Sequence, residues 1–598
     1  MHEYGVPPLA RVTESENVAA AVFRRADADP AAVALRRRVP DAGWRDVTAG
    51  EFRAEVAALA LGLIAAGIAP GDRVALVSRT RYEWTLADYA AWAAGAVTVP
   101  VYETSSAEQV EWILGDSATR AVFAETDAHE KLIASVRASL PDLQHVWRID
   151  DLDAVARGGR AVRADALAQR LATTTAADLA TIVYTSGTTG RPKGCELSHG
   201  CLLADVRNAV AVLPELFEQP GASTLLFLPL AHVFARIIQI GMLDAGAVLG
   251  HWPDPDTLAD GLAEFRPTFV LAVPRVFEKI YYRAQRQAGA SRAGGWIFAA
   301  AARAAVEWSE ALAARRAAGP FRAARHAAFE MLVYRRLRGA AGGRVGYAIS
   351  GGGPLNERLG HFFRGAGITV LEGYGLTEVA GAATVNRPAS NTIGTVGPPL
   401  PGVAIRVADD GEILIRGETV FRGYWRNADA TRDVLDSDGW LHTGDLGALD
   451  DRGMLRVTGR RKELIVTAGG MNVAPAVLEE RIRAHPLISH CLVVGDGRPY
   501  IGCLITLDQE EFEHWKLQHG RPAGARAEDL ASDSDLLADI QQAVDEANRA
   551  VSRAESVRRF RILPGDFTEA AGYLTPSDKV RRSVVARDFA AEIEALYA

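Results

Sequence analysis

The sequence predicts an α/β fold in at least two domains, a large N-terminal one built on parallel sheets and a small α+β one at the C-terminus. Three observations carry this. Helical and strand-like patterns alternate through the first part of the chain, the rhythm changes near Gly459-Arg460, and 598 residues exceed what one hydrophobic core usually supports.

The alternation begins at Thr48 and Glu51, a capping-box pair ahead of Phe52, Val56, Leu59 and Leu63, which share one helical face; Gly67 and Pro70 stop that helix. Arg73-Val74-Ala75-Leu76-Val77-Ser78 then reads as a short buried strand, and the rhythm continues through Val122 to Ala124. From Tyr281 to Gly343 the composition turns to Ala and Arg at helical spacing. Eleven Arg stand there against Glu307, Glu310 and Glu330, a local charge of +8 in a chain whose net charge is −8. From about Thr392 to Gly459, strand-like runs such as Glu412 to Arg416 and Met454 to Val457 alternate with Gly and Asp turns, which predicts a β-rich subdomain. The expected division is therefore 1–459, with a helical insert at 281–343 and the β-rich part at 392–459, followed by 460–598. In that last part Asn472 and Pro475 are expected to open a helix, and Cys491 to Val494 and Ile501 to Thr506 read as strands.

Composition excludes several classes. Hydrophobic content of 48% with 23% charged residues is that of a folded chain, and a mildly negative balance argues against a globally basic nucleic-acid binder. Cys195, Cys201, Cys491 and Cys503 have neither zinc-site spacing nor disulfide density, so a reducing cytoplasm is expected. Residues 1–18 lack a basic stretch followed by an apolar run, so no secretory signal is expected. The apolar windows near Ala57 to Ala69 and Ala87 to Val101 are too short or interrupted for a membrane span.

The strand-like Thr181-Ile182-Val183-Tyr184 runs into Thr185-Ser186-Gly187-Thr188-Thr189-Gly190-Arg191-Pro192-Lys193-Gly194, a loop of hydroxyls and glycines closed by a cation. Such a loop suits phosphate: glycine lets backbone N–H groups come close, hydroxyls add donors, and Lys193 supplies a point charge. It does not match GxxxxGK[ST].

This string resembles the signature loop of the adenylate-forming superfamily, and further motifs of that family follow in order. The resemblance implies an N-terminal domain with two sheets plus a β-rich subdomain, and a small mobile C-terminal domain. It implies ATP as substrate, Mg²⁺ as its companion, and acyl-adenylate chemistry. Glu372-Gly373-Tyr374-Gly375-Leu376-Thr377-Glu378 resembles the adenine and magnesium motif: Tyr374 is expected to stack on adenine, Thr377 to meet the α-phosphate and Glu378, with Thr185, to approach the metal. A buried structural carboxylate is the alternative for Glu378. Gly351 and Gly352, in Ser350 to Leu355, are expected to flank the adenine. Asp445 in Thr443-Gly444-Asp445 resembles the ribose-binding carboxylate, Arg460 a second ribose contact, and Lys462 the hinge of a rotating C-terminal domain. Gly469-Gly470-Met471 resembles the segment lining a pantetheine tunnel, with Met471 a departure from the commoner charged residue. Leu574 to Arg582 resembles the motif of the catalytic lysine, which maps to Lys579; no local pattern apart from the resemblance singles that lysine out.

Leu228 to Arg236, Val273 to Lys279 and Ser350 to Leu355 resemble the long-chain acyl-CoA synthetase branch, over nearly the whole chain. The resemblance implies a long-chain fatty acid and coenzyme A as co-substrates. His232 maps beside the carboxylate and acyl tunnel, with a satisfied core histidine as the alternative. An aromatic gate known in some long-chain enzymes would fall near Arg236, which puts that gate in doubt. Other readings are an acyl-AMP ligase that passes its product to a carrier protein, and a catalytically silent lipid-binding relative. The 281–343 stretch, with Trp296, Phe298, Trp308, Phe321 and Phe329 interleaved, resembles an interfacial element that would touch anionic lipid at the inner face of the plasma membrane. Its alternative is a set of helices packed on the main domain with solvated arginines.

Overall fold

The computed structural model describes residues 2–39, 42–185, 191–289, 291–314, 319–575 and 578–598. Ser186, Gly187, Thr188, Thr189 and Gly190 of the phosphate-type loop, and Pro576 and Ser577, lie outside the described residues.

The predicted first helix forms as Ala49–Ala65, with both halves of the Thr48/Glu51 capping box in place. Phe52, Val56, Leu59 and Leu63 are its buried face. Six strands make the first sheet, in the order His145–Arg148, Ala121–Ala124, Arg73–Val77, Val97–Val101, Leu179–Thr185 and Lys193–Ser198. Neighbours are parallel except the last pair, an antiparallel hairpin that sets Thr185 opposite Lys193. Two four-stranded sheets abut edge to edge to form a second layer: Thr268 N–H donates to Ser223 O at 2.9 Å and Thr224 Oγ1 donates to Phe269 O at 2.9 Å. Between the layers runs the helix Tyr82–Ala93, buried on all sides, as an apolar helix without a polar face must be.

The β-rich part is a five-stranded antiparallel sheet, and here the sequence reading falls short. Its outer strand is Glu3–Gly5 from the chain start, paired with Val403–Val407, ahead of Glu412–Gly417, Leu441–Leu449 and Leu455–Arg460. Three residues carry too little pattern to announce a strand; pairing across some 400 residues of chain decides it. Thr443 to Asp445 lie inside the strand Leu441–Leu449, where Gly444 has φ +70.

The main apolar core ends at Leu455, and the C-terminal cores start at Ile465 and Leu492. The C-terminal part carries the sheet Ile488–Val494, Ile501–Leu507, Val557–Ile562, covered by the helices Pro475–Arg483 and Ser534–Asn548. Asn472 does not open the first of these helices. It pairs in the short strand Asn472–Val473, and the helix starts at Pro475, whose missing N–H costs nothing at a first turn. Ion pairs tie the two parts together: Arg275 to Asp508 at 2.9 Å, and Arg286 to Glu510 at 2.8 Å and Glu511 at 3.0 Å.

The Ala/Arg-rich stretch is helical, Arg292–Ala313 and Pro320–Phe329 leading into Arg335–Ala340. Its aromatic residues do not act together. Phe298 is buried and Trp308 stacks on His326, whereas Trp296 is 71% and Phe321 78% exposed, beside exposed Met331 and Leu332.

Candidate active site

A cavity of about 2740 Å³ opens between the N-terminal sheets and the C-terminal part. Its polar end is assembled from four strand ends. The hairpin Leu179–Thr185/Lys193–Ser198 brings Thr185 and Lys193 to the rim, and the Lys193 ammonium sits 5.0 Å above the ring centre of Tyr424. Tyr424 O–H donates to Glu378 Oε1 at 2.8 Å, so a cation, a ring and a carboxylate form one cluster. Burial, then the Glu378 charge, pushes the Tyr424 phenol up, so it keeps its proton and remains a donor.

The strand Thr369–Tyr374 delivers Gly373, Tyr374 and Gly375, and the following turn Thr377–Val379 presents Thr377 and Glu378 to the cavity. Gly375 admits no side chain: a Cβ there would lie 1.7 Å from Gly381 O. Tyr374 O–H donates to Asp445 Oδ2 at 2.7 Å, and Asp445 Oδ1 pairs with Arg460 Nε at 3.1 Å across directly registered strands. Buried Glu412 holds that turn in shape, accepting Gly444 N–H at 2.9 Å and Arg461 Nη2 at 3.0 Å, with His442 Nδ1 at 3.1 Å. Gly351 and Gly352 line the same wall; a Cβ on Gly351 would stand 3.3 Å from the Phe234 ring, and Gly352 has φ +81.

Lys579 reaches this wall from the C-terminal part. It lies deep among protein atoms while keeping accessible surface into the cavity. Burial and then Arg460 lower its pKa, opposed by Asp445, Glu463 and Glu378, all of them groups of the same cluster. His232 caps the helix Val233–Asp244 through Nδ1, which accepts Phe234 N–H at 3.2 Å. Burial and then the Lys579 charge lower its pKa to about 4. It is therefore neutral near pH 7, and with Nδ1 accepting, its proton sits on Nε2 as a donor.

The cavity also carries apolar lining, from Val206 and Ala209 of one helix and Ile237, Ile238 and Met242 of the next, with buried Asp205 on the first. Arg236 takes no part in it. It is wholly buried, bonded to Asp88 at 3.0 and 3.1 Å and to Thr98 Oγ1 at 2.7 Å, with its guanidinium over the Trp92 ring. Gly470 also lies elsewhere, at φ +77 in an exposed turn closed by its N–H to Thr467 O, away from the cavity lining. Lys462 sits in the turn Arg461–Glu463, at the seam between the two parts.

Sequence reasoning passed over Tyr424, Glu412 and Glu372. Phe421 to Trp425 is a compact aromatic string that signals a site once its position under Lys193 is known. Glu372 is buried and accepts Leu355 N–H at 3.2 Å; burial raises its carboxyl to about 7.

A sheet layer closed by a glycine-tight cavity wall, with a lysine entering from the C-terminal part, is the arrangement of the adenylate-forming class of enzyme. The chain belongs to the AMP-binding enzyme family: the family model "AMP-binding enzyme" matches residues 22–425, and its companion for the C-terminal domain matches residues 462–598. It is 52% identical over 602 residues to the long-chain-fatty-acid–CoA ligase FadD15 of Mycobacterium tuberculosis and equally to that of Mycobacterium bovis, covering 100% of both chains in each case. It is 31% identical to the long-chain-fatty-acid–CoA ligase heimdall of Drosophila melanogaster over 93% of this chain and 90% of that one. Among solved structures, the anthranilate CoA ligase AuaEII in complex with anthranoyl-AMP superposes with a TM-score of 0.73 at 20% identity, over 98% of this chain and 99% of that one, which shows the shared fold.

Proposed function

We propose that this chain is a long-chain-fatty-acid–CoA ligase. The observation that carries the reading is full-length identity of 52% to two ligases of that name. The site supports it through a cavity that combines apolar lining with a polar, cation-bearing wall. In the first half-reaction a fatty-acid carboxylate oxygen attacks the α-phosphorus of ATP and pyrophosphate leaves. In the second, the coenzyme A sulfur attacks the acyl carbonyl carbon and the bond to AMP breaks.

The residue roles are those the family motifs imply. Asp445 takes the ribose hydroxyls, Arg460 holds that carboxylate in line, and Tyr374 with Gly351, Gly352, Gly373 and Gly375 forms the adenine wall. Thr185, Thr377 and Lys193 meet the phosphates, joined by Ser186 to Gly190. Lys579 neutralises charge building between the carboxylate and the α-phosphate, a stabilisation that is strongest in a site drained of water. Neutral His232 donates from Nε2 to the substrate carboxylate and orients it. Thr185 and Glu378 are hard oxygen donors at the phosphate end, few in number as Mg²⁺ prefers when phosphates complete its shell; bound there, the ion would offset phosphate charge. Residues 460–598 turn about Lys462 between the half-reactions, bringing Gly470 to the cavity for the thiol arm.

Mass analysis of products from ATP, Mg²⁺, coenzyme A and acids from C4 to C20 tests the reading. Thioester peaking at long chains is expected; acyl-AMP without thioester would make it an acyl-AMP ligase, and no AMP from any acid would overturn it.

Exposed Trp296, Phe321, Met331 and Leu332 on a stretch of charge +8 form a surface suited to an anionic bilayer, where the apolar substrate dissolves. Among the described residues no helix is long and apolar enough to cross a membrane. The protein is expected to float with phosphatidylglycerol vesicles at low salt, and a Trp296→Ala/Phe321→Ala double variant to bind about tenfold or more weakly. Equal binding by both proteins would remove this surface from the account.

A further inference from the structure

Two hydrogen bonds join Lys579 to Thr575. Thr575 N–H donates to Lys579 O at 2.9 Å, and Lys579 N–H donates to Thr575 Oγ1 at 3.1 Å. The residue before it, Asp578, has φ +61, in the left-handed region that L side chains rarely adopt, although Asp does so more readily than most. A distant strand reaches it. Asp578 Oδ1 lies 3.5 Å from Nε2 of His490, a buried residue of the strand Ile488–Val494. On the other side of the ring, His490 Nδ1 lies 3.1 Å from Asp566 Oδ1, which also accepts Thr506 Oγ1 at 2.6 Å and Phe567 N–H at 2.8 Å. Ser489 Oγ is 3.1 Å from the same nitrogen, and the Phe567 ring lies alongside. Arg275 and Arg483 face Asp578 from the helices Pro274–Gly289 and Pro475–Arg483.

We propose that His490, clamped between Asp566 and Asp578, is a positioning residue for adenylation: its imidazolium holds Asp578 in the left-handed conformation that carries Lys579 into the cleft. None of the motifs that point to the nucleotide site contains His490, Thr506 or Asp566. Two carboxylates on opposite ring nitrogens favour the doubly protonated ring. Burial works against that charge, yet the hydrogen bond with Asp566 and the facing Asp578 carboxylate outweigh it and the His490 pKa is raised. Both aspartates are held below the ordinary carboxylate range despite burial, first through His490, so they stay charged when it does. The clamp therefore holds above the lowered Asp566 and Asp578 pKa values and is lost as pH rises through the raised His490 pKa. Lys579 remains a catalytic group; His490 acts only through it.

The inference rests on the role assigned to Lys579, so Lys579→Ala is measured beside His490→Leu. Acyl-AMP formation is read by pyrophosphate release, and transfer to coenzyme A is read from supplied acyl-AMP. His490→Leu is expected to slow adenylation about tenfold to a hundredfold, as misplacement of a reacting group does, with transfer unchanged. Asp578→Gly in that background is expected to restore most of the rate, because glycine adopts φ +61 without steric cost. The wild-type adenylation rate should fall on an alkaline limb that His490→Leu lacks; any limb left in the variant belongs to Lys579. Normal adenylation by His490→Leu beside a dead Lys579→Ala would overturn the clamp alone, and normal adenylation by Lys579→Ala would overturn the reading beneath it. Equal loss of both half-reactions, or no rescue by Asp578→Gly, would make His490 a core histidine and end the proposal.

Discussion

Lys579→Ala is expected to lower acyl-AMP formation about 10²–10³-fold, the usual cost of removing one preorganised charge from a reacting oxyanion, while transfer from supplied acyl-AMP to coenzyme A continues. The asymmetry is the informative part. Lys579 is surrounded by Asp445, Glu378, Glu463 and Arg460, and its charge reaches His232, so it faces both the proposed ribose carboxylate and the proposed carboxylate-orienting histidine. It arrives there from the C-terminal part, which Arg275, Arg286 and their acidic partners hold in this orientation. On the proposed rotation about Lys462 the lysine leaves with that part, so the second half-reaction should not notice its loss. Parallel assays of the two half-reactions decide the matter: loss of both at similar temperature stability would make Lys579 a group common to both steps.

Arg236→Met is expected to destabilise the N-terminal domain by about 3–5 kcal/mol, seen as a lowered Tm, because it strands a buried carboxylate. Asp88 is wholly buried and receives two bonds from Arg236, together with Trp84 Nε1 at 3.1 Å and Gln239 Nε2 at 3.0 Å. The neutral donors alone leave the charge uncompensated. Arg236→Met/Asp88→Leu should regain much of the loss, since an apolar pair of similar volume carries no desolvation cost. The competing idea, that this position gates the acyl channel, predicts the reverse: an altered chain-length profile at unchanged Tm. Thermal unfolding and product profiles of the same two variants separate them.

The comparison of these two positions shows what is legible in a linear chain. Arg236 follows a motif and stands near where an aromatic gate would fall, so sequence raised the question of a gate there. Its side chain points the other way along the helix, into the layer between the sheets, because only there do Asp88 and Thr98 await it. Lys579 had the opposite fate: its surroundings in sequence are those of an ordinary surface lysine, and only the resemblance marked it.

By itself the sequence determined whatever is written in short-range periodicity and in glycine. The capping box at Thr48 and Glu51 and the buried parallel strands follow from local sterics and burial patterns that need no partner to be recognised. The family motifs likewise lie in contiguous strings, because a strand end and its following loop can present several ligand contacts at once. Tertiary structure alone decided the rest. Glu3–Gly5 becomes a strand by pairing with Val403–Val407, Tyr424 becomes a donor to Glu378 by lying beneath Lys193, and His490 meets Asp566 and Asp578 across three separate segments. Each of these joins residues far apart in the chain, and a pairwise contact of that kind leaves no periodic trace in either segment for a sequence reading to find.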